Sequence, residues 1–122
     1  MKGLSMRYTL VFAALLAAVP AMAAAPFDGK WNGGGAPVGE CGAATADITV
    51  TDGLISGRIS ATYQGRQVSG DIASVKVGAD GTASVVVGTR QFPMSIRFAG
   101  DRFDANLNAF CGLRPLTGTR VK

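Results

Sequence analysis

Two cysteines, Cys41 and Cys111, are the side chains of this 122-residue chain whose chemistry follows most directly from their number. An even pair in a small chain bound for an oxidising compartment reads as a disulfide. The loop it closes runs from 41 to 111, and chain-entropy reasoning assigns such a loop about 4 kcal/mol. Each cysteine precedes a glycine, Gly42 or Gly112, which suits a tight turn at a bridge. Zinc is the rival chemistry, and the chain lacks the ligands for it. There is no histidine and no C-x-x-C spacing, and two thiolates leave a four-ligand site half built. No cofactor is implied.

Catalysis has equally little to draw on. Without histidine, the commonest general base is missing. Glu40 is the only glutamate, and Asp28, Asp52 and Asp80 each precede glycine, where turn formation accounts for them. Asp101 and Asp104 are the one carboxylate pair worth naming, and Asp101 reads more simply as a turn residue. The expectation is a protein that is not an enzyme.

Binding residues are easier to nominate. Asn32 to Gly39 is glycine-rich but lacks the Gly-Lys-Ser/Thr ending of a phosphate loop. It reads as a flexible loop after a first strand begun by Lys30 to Gly33 around Trp31, and the whole stretch 24–40 as a partly flexible arm. Trp31, Asn32, Gly33, Gly34, Gly35 and Glu40 are then the candidates for contact with a partner, although Trp31, like Tyr63, Phe92, Phe98 and Phe103, reads first of all as core. Arg58, Arg66, Arg97 and Arg102 fall at outward positions or turns. Arg58 and Arg97 are the candidates for a basic face toward an anionic partner such as lipopolysaccharide, although solvated strand faces carry such charges without any ligand.

The elements that position these residues are strands. Ala46, Ile48 and Val50 alternate with polar residues, Asp52-Gly53 supplies a hairpin turn, and Ile55, Gly57, Ile59, Ala61 and Tyr63 continue the alternation. Phe92, Met94, Ile96 and Phe98 repeat it, as do Phe103, Ala105 and Leu107. The apolar parity shifts after Ala73, which predicts a bulge there. Pro93 predicts a bulge or an incompletely zipped seam, because a central strand needs every N–H. No stretch beyond residue 27 keeps helical spacing. The pattern predicts an all-β domain over 24–122, a small antiparallel up-and-down barrel of seven or eight strands.

Residues 1–23 are of another kind. Lys2 and Arg7 precede an apolar run from Tyr8 to Val19, and Pro20-Ala21-Met22-Ala23 ends in small residues. This predicts a secretory signal peptide cut after Ala23, too short for the ~20 apolar residues of a membrane span. The mature protein is expected in the periplasm or secreted. Losing Lys2 and Arg7 lowers the net charge from +4 to +2, with ten basic residues against eight acidic, which gives no case for nucleic acid.

Phe27-Asp-Gly-Lys-Trp-Asn-Gly33, the following Cys41, Val50-Thr-Asp-Gly-Leu-Ile-Ser-Gly57, Phe98-Ala-Gly-Asp-Arg-Phe103 and the closing Cys111-Gly112 form a further pattern. It resembles small exported bacterial β-barrel proteins of unassigned role, which implies a barrel and supplies no catalytic residues. More loosely, the chain is similar to secreted bacterial protease inhibitors, also small disulfide-bonded barrels with an early tryptophan. The function expected from all this is an exported, disulfide-stapled binding or interaction module, inhibitor-like, with another exported protein as partner. The alternative is a lipocalin-like carrier of a small apolar ligand, held where small inward residues leave a cavity.

Overall fold

Period-two alternation and two-residue turns become eight antiparallel strands in the computed structural model, which describes residues 26–122. The strands are β1 (Gly29–Gly35), β2 (Ala44–Thr51), β3 (Leu54–Tyr63), β4 (Arg66–Lys76), β5 (Thr82–Val87), β6 (Phe92–Ala99), β7 (Arg102–Ala109) and β8 (Gly112–Arg120). Each pairs with the next in sequence, and β1 pairs with β8 to close the barrel. The expected signal peptide lies outside the described residues.

Asp52-Gly53 and Gln64-Gly65 set the first two hairpins. Both residues of each turn have positive φ, between 52° and 80°, the geometry whose twist matches that of the flanking strands. Along the strands the apolar parity faces inward: Ile48, Val50, Ile55, Ile59, Val85, Met94, Ile96, Phe98, Phe103, Leu107 and Leu116 are all buried. The bulge expected after Ala73 is present. Gly57 pairs with Ile72 and Ile55 with Val75, so Ala73 and Ser74 together face Ser56.

One expectation needs correction. The glycine-rich stretch is a strand up to Gly35, held between β2 and β8, and so is neither a loop nor a flexible arm over that range. The physical reason is close approach. A methyl group at Gly33 would collide with the Thr117 carbonyl, and one at Gly34 with the Ala44 carbonyl. Gly33 faces Gly118 across the closing seam, where the Phe103 ring lies against Gly118 in the place of a side chain. Replacing Gly33 with valine is therefore expected to lower stability by roughly 1–3 kcal/mol, the range for overpacking. A urea-unfolding midpoint unchanged by Gly33→Val would show that β1 is not so tightly confined.

The incompletely zipped seam expected at Pro93 is present between β6 and β7. Pro93 pairs with Val86 of β5, but the β6–β7 ladder stops at Met94 and Leu107, so Phe92 and Pro93 have no partner in β7. A second and thinner seam lies between β4 and β5, which share one ladder pair, Ile72 with Val87, and a bond from the Gly88 N–H to the Asp71 carbonyl at 2.9 Å. The bulge at Ala73 and Ser74 follows directly on that single pair, and a bulge locally disrupts its ladder.

The two ends of the barrel differ because their side chains differ in size. At one end Trp31, Phe98 and Phe103 fill the interior, with the Trp31 and Phe98 rings 4.8 Å apart. Trp31 is fully buried and its Nε1–H donates to the Phe27 carbonyl at 3.0 Å. Arg120 lies over the indole at 4.4 Å, a cation–π contact, and donates to the carbonyls of Pro26 and Asp28 and to the Asp101 carboxylate. Hydrogen bonds from Lys122 and Arg120 hold the Asp101 carboxyl below its ordinary pKa. The Asp28 carboxylate accepts from the N–H groups of Asp52 and Gly53, both at 3.0 Å. Residues 26–28 are thus latched across this closed end.

Candidate functional site

At the opposite end the inward positions shrink. Ala44, Ala61, Gly70 and Ala109 stand where the closed end has aromatics, and the space they leave is a cavity of about 380 Å³ opening at the mouth. That lies within the ordinary range for small-molecule sites. Ile59, Val87 and Leu107 form its floor. Its rim is aromatic. Phe110 stacks on Tyr63 with ring centroids 4.8 Å apart, meets Phe92 edge-on at 4.9 Å, and carries the Arg90 guanidinium at 5.2 Å. Phe110 is 40% exposed, an apolar side chain presented at the opening. The cavity continues sideways into a cleft at the β4–β5 seam, where Ser69, Gly70, Gly88 and Thr89 line both spaces.

Cys41 and Cys111 meet on this rim, bonded with their Cα atoms 6.2 Å apart, and the bridge lines the cavity. It ties the 36–43 connection to the β7–β8 turn. Such a buried disulfide suits an oxidising, extracellular or periplasmic environment.

Arg114 is the buried charged group of the site. Its position on β8 shares the parity of Leu116, so it points into the barrel and is only 3% exposed. Its Nη2 donates to the carbonyls of Ala36 at 2.9 Å and Gly42 at 3.0 Å, which pins the connection that carries Cys41. Its Nε is buried without an acceptor. Among the described residues the ion pairs are Arg58–Asp71, Arg120–Asp101 and Lys122–Asp101, and none of them balances Arg114.

Of the residues nominated from sequence, only the two cysteines come together here. Trp31 is core at the far end and presents nothing to a partner. Asn32 is exposed on the outer face of β1, opposite Asp47. Gly33, Gly34 and Gly35 serve the packing of β1 between its neighbours. Glu40 is exposed near the rim, 3.4 Å from the Gln64 amide. Arg58 pairs with Asp71 at 3.0 Å on the outer surface, and Arg97 faces Asp104 three strands away around the barrel. Arginines so separated, each with an aspartate as its cross-strand neighbour, do not assemble one basic face. Arg114, Arg90 and Phe110 were not nominated. The parity of Arg114 with Leu116 was the available signal for the first, and nothing local marked the other two. No family model, curated protein or solved structure matches this chain.

Proposed function

We propose that this protein is an exported, non-catalytic binding barrel whose mouth takes one small, largely apolar ligand. The observation that carries the reading is the cavity: aliphatic walls, small residues at the widest level, an aromatic rim and a rigid, disulfide-bridged lip. An apolar group entering it leaves water at about 25 cal/mol per Å² of buried surface, and the closed barrel beneath lets the site receive it with little reorganisation. The interaction-module reading leaned on a flexible arm, and that arm is strand β1 from Gly29 to Gly35. The carrier reading therefore takes precedence.

The neutral dye N-phenyl-1-naphthylamine provides the test, since its emission rises in apolar surroundings. Saturable uptake with one dye per chain is expected. Ala61→Trp, which fills the mouth from the end of β3, should abolish uptake while the melting transition persists. Folded wild-type protein that takes up no dye, or uptake indifferent to Ala61→Trp, would remove the cavity as a ligand site.

A further inference from the structure

We infer that the ligand class is an amphipathic monocarboxylate, its chain in the apolar cavity and its carboxylate against Arg114. This rests on the mouth cavity being the ligand site. The cavity wall is aliphatic and aromatic apart from a few polar backbone and side-chain groups, yet a guanidinium stands in it almost fully withdrawn from water. A buried cation is costly unless it is paired. The carbonyls of Ala36 and Gly42 orient Arg114 and satisfy Nη2, but they bring dipoles and no negative charge. Nε has no acceptor, and the carboxylates that form ion pairs among the described residues are Asp71 and Asp101, both serving other cations. Glu40, the acid of the neighbouring connection, is exposed and bonded to Gln64 instead.

An entering anion therefore finds a preoriented, uncompensated positive charge in a low-dielectric wall. One buried cation balances one negative charge, so a carboxylate fits and a dianionic phosphate would leave a charge unneutralised among apolar groups. Size points the same way. At about 30 Å³ per water-sized group in a liquid, a cavity of 380 Å³ encloses roughly a dozen non-hydrogen atoms, and a larger molecule such as the dye projects from its open mouth. A medium-length carboxylic acid has that number.

Decanoate and 1-decanol separate the two layers of the reading, as competitors for the dye. Decanoate is expected to displace it at a concentration roughly 10- to 100-fold lower than decanol, as befits a hydrogen bond to a charged group. Arg114→Gln should bring the ratio close to one by weakening decanoate alone, Arg114→Lys should keep most of the preference, and Arg97→Gln on the outer face of β6 should leave it intact. Equal binding of the acid and the alcohol to the wild type, or a preference that survives in Arg114→Gln, overturns the carboxylate inference and leaves the apolar site standing. Failure of both compounds to displace the dye overturns the site itself. The wild-type ratio decides the matter should Arg114→Gln not fold.

Discussion

Truncation of Trp31 to alanine is expected to destabilise the barrel by about 3–5 kcal/mol, the cost of emptying a large aromatic site in a packed core. Total stability for a domain of this kind is only about 5–15 kcal/mol, so the variant sits close to unfolding at ambient temperature. More than transfer and cavity terms is lost. The indole anchors the Phe27 carbonyl, packs on Phe98 and carries the Arg120 guanidinium. Without it, Arg120 loses its platform while still reaching Pro26, Asp28 and Asp101. Urea unfolding followed by far-ultraviolet circular dichroism measures the loss, because the chain has one tryptophan and the variant has none to report by fluorescence. A midpoint shifted by less than the equivalent of 1 kcal/mol would mean that the closed end is not packed as described.

Reduction of the Cys41–Cys111 bridge is the second large effect. The cysteines are 70 residues apart in sequence, and releasing a loop of that length destabilises by about 4 kcal/mol in the chain-entropy account. For a domain near 100 residues this corresponds to a melting temperature lower by roughly 15–30 °C. The effect has a location as well as a size. Cys41 belongs to the connection whose carbonyls bond Arg114, and Cys111 sits in the turn beside Phe110. Amide exchange in reduced but still folded protein should therefore rise first around residues 36–43 and 109–114. Coincident melting of the oxidised and reduced forms would show that the bridge adds nothing to stability.

Much of the barrel was legible in sequence because its rules are local. Asp52-Gly53 and Gln64-Gly65 specify their own turns, and the run from Phe92 to Phe98 declares which face is inside before any partner strand is known. The parity shift after Ala73 announced the bulge for the same reason. What escaped was decided across strands. Glycines at 33–35 look like loop by propensity, and only the squeeze between β2 and β8 explains why a strand needs them. Trp31 reads as core from its type, and it stood among the binding candidates only through the glycine-rich stretch beside it; its level in the barrel is set by Phe98, Phe103 and Arg120, distant in the chain. Arg114 was hidden by its charge. Strand parity puts it inside, the habit of placing arginine outside hides it, and that conflict is the kind of local inconsistency that functional sites produce.

The pairing of β1 with β8 has a consequence for how fast the chain reaches this state. Seven of the eight ladders join neighbours in sequence, so most of the contact map is low in contact order and can form hairpin by hairpin. Trp31 and Arg120 must instead find each other across nearly the whole domain, a search whose entropy has to be lost before any contact rewards it. Once Cys41 and Cys111 are covalently joined, the two strands leave that junction in company, β1 ending at Gly35 on one arm and β8 beginning at Gly112 on the other. The cross-link turns the barrel's one nonlocal encounter into the closing of a short loop, and an oxidised chain should zip its last seam as readily as its first.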